Sequence, residues 1–150
     1  MRQQYVRVTE VDSRRLQALI DAALHRSGRD TRSVEELERH LLEAEITPAS
    51  RIGSDVVTMN SEVLVTDLDT RETFGFRVVF PRAANASAGS ISVLAPLGMA
   101  VLGRTVGEEL TWKVPAGTRR LRVDALVYQP ERDGKDLTLA PADRPEERAS

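Results

Sequence analysis

The stretch EVLVTDLDTRETFGFRVVF, residues 62–80, decides the fold class of this chain. Residues 62–66 are mostly β-branched, and residues 67–70 are typical of a turn. In the run that follows, large apolar side chains alternate with other residues and share one face: Phe74, Phe76, Val78 and Phe80. Because alternation with a period of two predicts β-strands, we predict two strands joined by a turn.

Similar strand patterns continue on both sides of this stretch. We predict strands at residues 56–58, 90–94, 109–114 and 119–128, the last two joined by a hairpin turn at residues 115–118. Pro96 to Leu102 predicts a short helix, since Pro suits the first turn and Gly103 suits the end. About five strands with one short helix predict a small antiparallel α+β domain over residues 51–130. The polar residues 131–150 predict a mobile tail.

The N-terminal part, residues 8–50, has a helical period instead. We expect a first helix from Asp12 or Ser13 to Ser27-Gly28 and a second from Ser33 to Thr47-Pro48, with Ser33 and Glu36 as a capping box. Apolar residues recur at spacings of three and four in both: Leu16, Leu19, Ile20, Ala23 and Leu24, then Val34, Leu37, Leu41 and Ala44. The connection of about six residues predicts an antiparallel helical hairpin, or coiled coil, that reaches roughly 20 Å.

Composition narrows the function. The chain has 150 residues, 21 basic and 23 acidic, with a net charge of −2, which argues against a general nucleic-acid binder or a polybasic membrane-surface protein. Cysteine is absent, which excludes thiolate catalysis and Cys-based metal sites in this sequence. With only His25 and His40, we predict neither a metal nor a cofactor. The sequence shows no apolar run of membrane-spanning length and no signal peptide, so we expect a cytoplasmic protein.

Each remaining motif has a plain interpretation. His25 suits the C-terminal end of a helix dipole. The three glycines Gly98, Gly103 and Gly107 lack phosphate-loop spacing and suit turns and caps. Trp112 suits half-buried packing, with a floor for peptide prolines as the alternative. The predicted hairpin tip carries one acid among arginines: Arg26, Arg29, Asp30 and Arg32.

Longer motifs in the C-terminal part resemble a known family. They are DVVTMNSEV at residues 55–63, SVLAPLGMAVLGRTVG at residues 92–107, WKVPAG at residues 112–117 and VYQPE at residues 127–131. In this order they resemble the Rnk family, the regulators of nucleoside diphosphate kinase, which is related to the Gre transcript-cleavage factors. The resemblance runs from about Asp12 to Glu131, and in the hairpin only the layout matches.

The resemblance implies a helical hairpin on a C-terminal domain of FKBP-like fold. In Gre factors that domain docks on the β′ subunit of RNA polymerase at the rim of the secondary channel, and tip acids on a long coiled coil reach the catalytic Mg²⁺. Rnk proteins have a shorter coiled coil and bind without inducing cleavage. By resemblance, the polymerase-docking residues are Ala95, Pro96, Leu97 and Gly98, with Met59, Asn60 and Ser61. This sequence has Ala95 where Gre factors have Ser.

We therefore expect a monomeric, non-enzymatic regulator that binds RNA polymerase and competes with Gre-type factors without stimulating cleavage. It would have no catalytic residues, no sequence-specific contact with nucleic acid and no contact with membranes. The short hairpin and the Arg29-Asp30-Thr31-Arg32 tip both argue against cleavage. The alternatives are a cleavage factor that acts through the hairpin tip, a prolyl isomerase, and a direct regulator of nucleoside diphosphate kinase.

Overall fold

The structure is a computed structural model that describes residues 6–25 and 31–133. It confirms the predicted fold class, with two helices followed by a curled sheet that carries one short helix. The elements are β1 (Arg7–Thr9), α1 (Glu10–Leu24), α2 (Arg32–Leu42), β2 (Glu45–Thr47), β3 (Glu62–Asp67), β4 (Thr73–Val79), β5 (Ser90–Ser92), α3 (Pro96–Val101), β6 (Glu109–Val114), β7 (Gly117–Tyr128) and α4 (Pro130–Asp133).

The large sheet has the strand order β5-β4-β3-β7-β6. Three of its four pairings are antiparallel, as predicted, and β7 pairs with both β3 and β6. The purely antiparallel prediction is wrong for β5, which runs parallel to β4. Residues 80–89 carry the chain back along β4 through two short 3-10 turns, so that Ser90 lies opposite Arg77. The predicted strand at residues 56–58 is also wrong, because Val56 makes only an isolated bridge to Thr105.

Helix α1 begins at Glu10, earlier than predicted. The Thr9 hydroxyl oxygen accepts a hydrogen bond from the backbone N–H of Asp12 at 3.0 Å, so Thr9 is the N-cap residue. Thr9 and Asp12, three residues apart, form a capping pattern that the predicted start at Asp12 or Ser13 overlooked. The predicted end of this helix at Ser27-Gly28 lies outside the described residues. His25 caps the described end, and its ring Nδ1 lies 2.7 Å from the carbonyl oxygen of Asp21.

Helix α2 is shorter than predicted. It begins at Arg32 after Thr31, so the capping box at Ser33 and Glu36 is wrong. The helix ends at Leu42 instead of Thr47, because residues 45–47 form β2, parallel to β1. The backbone N–H of Glu45 donates to the carbonyl oxygen of Val6 at 2.8 Å, which ties the hairpin's end to its beginning.

Hairpin and sheet share one hydrophobic core. Leu16, Ile20 and Leu37 have no exposed surface and belong to the same cluster as Val57, Met59 and the inner face of the sheet. The predicted division near residue 50 therefore separates two patterns of secondary structure but not two cores. Among the described residues no helix combines the length and the apolar character that crossing a membrane requires.

Candidate functional site

The segment Ala95–Gly98 forms the start of α3. Ala95 is the N-cap residue in an extended conformation, and Pro96 occupies the first turn, where its missing N–H and fixed φ suit a helix. The backbone N–H of Met99 donates to the carbonyl oxygen of Ala95 at 2.9 Å. Since Ala95 has no hydroxyl, backbone geometry alone sets this helix start.

The four residues differ in exposure. Pro96 is exposed, Leu97 is half-buried against the core, and Gly98 is buried. A Cβ atom at Gly98 would lie 2.2 Å from the carbonyl oxygen of Ser92, so α3 can approach β5 this closely only with glycine there. Since Ala95 is also half-buried, the segment presents chiefly Pro96 to solvent and anchors Gly98 inside.

The other predicted docking segment, Met59–Ser61, is buried. Met59 is 1% exposed, Asn60 4% and Ser61 0%, so their side chains are not available to a partner in this structure. The segment is a tight turn. Asn60 has φ +70°, a left-handed conformation that Asn tolerates, and its N–H donates to the carbonyl oxygen of Val78 at 2.7 Å. The Ser61 hydroxyl oxygen accepts from the N–H of Thr58 at 2.9 Å.

Asp12 joins this turn to the hairpin, a role that the sequence did not reveal. Its Oδ2 accepts a hydrogen bond from the backbone N–H of Met59 at 3.0 Å, and the side chain is buried. Burial, and secondarily the nearby carboxylate of Glu131, raises the pKa of Asp12 from 3.8 to about 7, although the bond from Met59 favours the charged form. Nothing in the residues around Asp12 indicates this long-range partner.

The beginning of the predicted tail also bonds to the chain next to the Met59–Ser61 turn. The Thr58 hydroxyl donates to Oε1 of Glu131 at 2.7 Å. The buried Gln129 side chain donates from Nε2 to the carbonyl oxygens of Gly53 and Val56, at 2.9 and 2.7 Å. Residues 130–133 are therefore a packed helix, which corrects the tail prediction at that point, and residues 134–150 lie outside the described part.

The predicted hairpin tip lies mostly outside the described residues. Arg26, Arg29 and Asp30 fall in the gap between α1 and α2, and Arg32 is the exposed first residue of α2. Most of the other sequence motifs have the predicted plain roles, but the turn or cap role is wrong for Gly98, which lies inside α3. Gly103 ends α3 with φ +83°, Gly107 sits in a turn with φ +95°, and Trp112 is half-buried against the core.

A cleft of about 280 Å³ separates α2 from α3 and β6. Glu36, Arg39, His40 and Glu43 of α2 form one wall of this α2–β6 cleft. Residues on the opposite side include Pro96, Met99, Trp112 and Lys113. The cleft thus borders the exposed end of the Ala95–Gly98 segment.

Residues 52–128, just over half of the chain, match the family described as "Transcription elongation factor, GreA/GreB, C-term". The chain belongs to this family. It is 38% identical over 107 residues to the transcription elongation factor GreA of Thermotoga petrophila. The aligned region covers 71% of this chain and 68% of that protein.

Two further relatives extend the similarity into the hairpin. The regulator of nucleoside diphosphate kinase of Escherichia coli is 32% identical over 131 residues, covering 87% of this chain and 94% of that protein. A GreA/GreB-type elongation factor of known structure from Nitrosomonas europaea superposes with a TM-score of 0.66 at 31% identity, covering 82% of this chain and 99% of the other. The resemblance to Rnk proteins and to Gre factors is confirmed. The named relatives are transcription factors or a regulator of an enzyme.

Proposed function

We propose that this Gre-family protein is a transcription regulator that binds RNA polymerase at the β′ rim of the secondary channel. It occupies the site of Gre-type factors and competes with them without stimulating transcript cleavage. It acts as a monomer in the cytoplasm. The family match and the similarity over 94% of the Escherichia coli regulator support this proposal.

The short length of the hairpin supports the part of the proposal that says the protein does not stimulate cleavage. The described helices have 15 and 11 residues, about 22 and 16 Å at the rise of an α-helix. In the sequence, the tip offers one carboxylate, Asp30, among Arg26, Arg29 and Arg32. Direct ligation of a polymerase Mg²⁺ needs carboxylate oxygens at about 2.1 Å, and nearby guanidinium groups are repelled by the metal. Short reach and a basic tip both favour occupancy over catalysis.

The exposure of the predicted docking residues limits which of them a partner can contact directly. Pro96 and the outer side of Leu97 are available to a partner, and Ala95 and Gly98 set the course of the backbone. Met59, Asn60 and Ser61 stay in the proposal as a buried support, because their turn bonds to Val78 and, through Met59, to Asp12. We therefore assign the direct docking contact to Pro96 and Leu97.

A cleavage assay on a stalled elongation complex tests the proposal. Added alone, the protein should leave the transcript at full length. Added with a Gre factor, it should suppress cleavage in a dose-dependent manner that excess Gre factor reverses. Transcript cleavage by the protein alone, lost in Asp30→Ala, would show that the hairpin tip is catalytic and would overturn the non-cleaving role.

A matched pair of substitutions tests the docking contact. Pro96→Glu places a charge on the exposed docking segment and should abolish the suppression of cleavage, because a charge in a desolvated contact is costly. Pro115→Glu makes the same change in the exposed β6–β7 turn and should leave suppression intact. Equal suppression by the two folded variants would remove Pro96 from the docking surface.

The second candidate is direct regulation of nucleoside diphosphate kinase. The name of the Escherichia coli relative, which aligns over 94% of its length, favours this function. Mixing the purified protein with nucleoside diphosphate kinase should then change the enzyme's rate or produce a complex in size-exclusion chromatography. A complex with the kinase, together with failure to bind polymerase, would replace the first proposal.

A further inference from the structure

We propose that the α2–β6 cleft is a second part of the polymerase-docking surface. It receives an apolar side chain from the polymerase segment that contacts Pro96, and charged residues of that segment flank the inserted side chain. Helix α2 of the hairpin therefore takes part in anchoring. This inference rests on the proposed function and extends it from the C-terminal part to the hairpin.

Helix α2 contributes one face to the hydrophobic core and another to the wall of the cleft. Val34, Leu37 and Leu41 are buried in the core. Glu36, His40 and Glu43 follow a second stripe at helical spacing, and this stripe forms the cleft wall. The polar stripe therefore faces the C-terminal part of the chain across the cleft, with Glu36 and Glu43 at its solvent-exposed rim.

Two contacts hold the walls in place. Burial lowers the pKa of His40, and its Nε2 lies 3.2 Å from the carbonyl oxygen of Leu102, where a neutral ring can donate. The Lys113 ammonium lies 3.2 Å from Oε2 of Glu36 at the exposed rim. The part-buried contact of His40 does most to fix the spacing, because exposed ion pairs contribute little. The cleft is thus already formed in the free protein, which lowers the cost of binding.

The size and lining of the cleft favour a protein partner. At about 280 Å³ it falls just below the range of roughly 300–1,000 Å³ that encloses drug-sized molecules. Trp112 and Met99 are half-buried, and Trp, Met and Arg are enriched in protein interfaces. A small pocket that accepts one anchor side chain is typical of an interface hot spot. Pro96 lines both the cleft and the docking segment, so the two surfaces are continuous.

Charge defines the chemistry of the partner segment. Two cations that line the cleft are already paired, Arg104 with Glu108 at 2.7 Å and Lys113 with Glu36 at 3.2 Å. Arg39 and Glu43, one helical turn apart, make no ion pair within residues 6–25 and 31–133. Complementarity then requires an acid opposite Arg39 and a base opposite Glu43, on either side of the apolar anchor.

Binding of the full-length protein to purified RNA polymerase tests this surface. Arg39→Glu should weaken the affinity by about tenfold or more, because it reverses a charge beside the inserted side chain. Arg14→Glu makes the same change at an exposed position of α1 and should alter the affinity by less than about twofold. Equal melting temperatures for the two variants exclude a loss of folding as the cause.

A chemical footprint provides a second readout. Because the chain has no cysteine, Arg39→Cys creates a single thiol, whose alkylation can be followed by mass spectrometry of this chain alone. Polymerase should slow the alkylation at position 39 and leave it unchanged in Thr70→Cys, in the exposed turn between β3 and β4. Both readouts with the expected result support the cleft as a docking surface.

Two other results overturn the inference and differ from each other. If Pro96→Glu weakens polymerase binding while Arg39→Glu does not, and polymerase leaves the thiol of the Arg39→Cys variant fully reactive, docking is limited to the α3 segment and the proposed function stands. If the unmodified protein does not bind polymerase at all, the inference and the proposed function fail together.

Discussion

Segments Met59–Ser61 and Ala95–Gly98 carry the same predicted role but occupy opposite environments. The first is a buried turn that bonds to α1 and β4, and the second exposes Pro96 at the surface. Both belong to the motifs by which the sequence resembles its family. The contrast teaches that residues of one family resemblance can lie in a buried turn in one place and at the surface in another, so that only the surface residues are open to a partner.

The largest effect should come from truncating the buried segment. Met59 is 1% exposed and lies in the core shared by hairpin and sheet. Met59→Ala should lower the free energy of unfolding by about 2–5 kcal/mol, through lost burial and the cavity that remains. Urea unfolding measures this loss. Leu97→Ala, at the half-buried position of the exposed segment, should cost less. Equal losses would erase the contrast between the two segments.

A smaller loss is expected where the exposed segment turns inward. In Gly98→Ala, the new Cβ would lie 2.2 Å from the backbone oxygen of Ser92, which cannot move aside without shifting β5. We expect a destabilisation of about 1–3 kcal/mol, measured by thermal or urea unfolding.

Gly75→Ala provides the matched comparison for this change. Its Cβ would meet the carbonyl oxygen of Val63 at 3.3 Å, so the cost should be clearly lower. If Gly98→Ala were as stable as the unmodified protein, close approach of α3 to β5 would not constrain the Ala95–Gly98 segment.

The pH dependence of stability tests the buried environment of Asp12, which bonds to the buried segment through Met59. The pKa of Asp12 is raised to about 7 in the folded protein, from an ordinary value of 3.8, chiefly by burial. Between these values the folded state holds a proton that the unfolded state has released. The contribution of Asp12 to stability is therefore greatest below about pH 4 and falls as pH rises to about 7, with a slope of at most about 1.4 kcal/mol per pH unit.

Asp12→Asn should remove this contribution, since an amide keeps a hydrogen-bond acceptor for Met59 but does not titrate. Urea unfolding of both proteins from pH 4.5 to 8 gives the difference curve. The lowered pKa of His40 produces the opposite trend below about pH 6.5 in both proteins, and the lowered pKa values of Asp67 and Asp124 do so only below about pH 4, so these contributions cancel in the difference. Parallel curves for the two proteins would show that Asp12 is not neutralised by the fold.

The predictions from the sequence are correct where they depend on residues close together in the chain. The apolar stripes of α1 and α2 are buried through Leu16, Ile20, Leu37 and Leu41, and the strands β3, β4, β6 and β7 lie close to their predicted positions. The short helix α3, with its proline start and glycine end, was also predicted. Each of these depends on side-chain periodicity or on backbone preferences within a few residues.

The predictions from the sequence are wrong or incomplete where a strand or hydrogen-bond partner lies far along the chain. The helical pattern before Pro48 hid β2, whose partner β1 is 38 residues away, and β5 could not be recognised as parallel from its own three residues. In the candidate site, the burial of Met59 and the bond from its N–H to Asp12, 47 residues away, were not predicted, and the docking role of Pro96 stays a prediction. Arg39 and His40 read as ordinary helix residues, although they line the cleft.

By itself, the sequence determined that this chain forms a helical hairpin and a small sheet domain, and that it resembles Rnk and Gre proteins. Apolar periodicity specifies which face of each element is buried, and glycine and proline specify where the elements end. Only the tertiary structure decided which motif residues are buried, which carboxyl group holds a proton and which surfaces border the cleft. Those properties depend on desolvation and on hydrogen-bond partners that distant segments supply, and neither is encoded in the residues at the position itself.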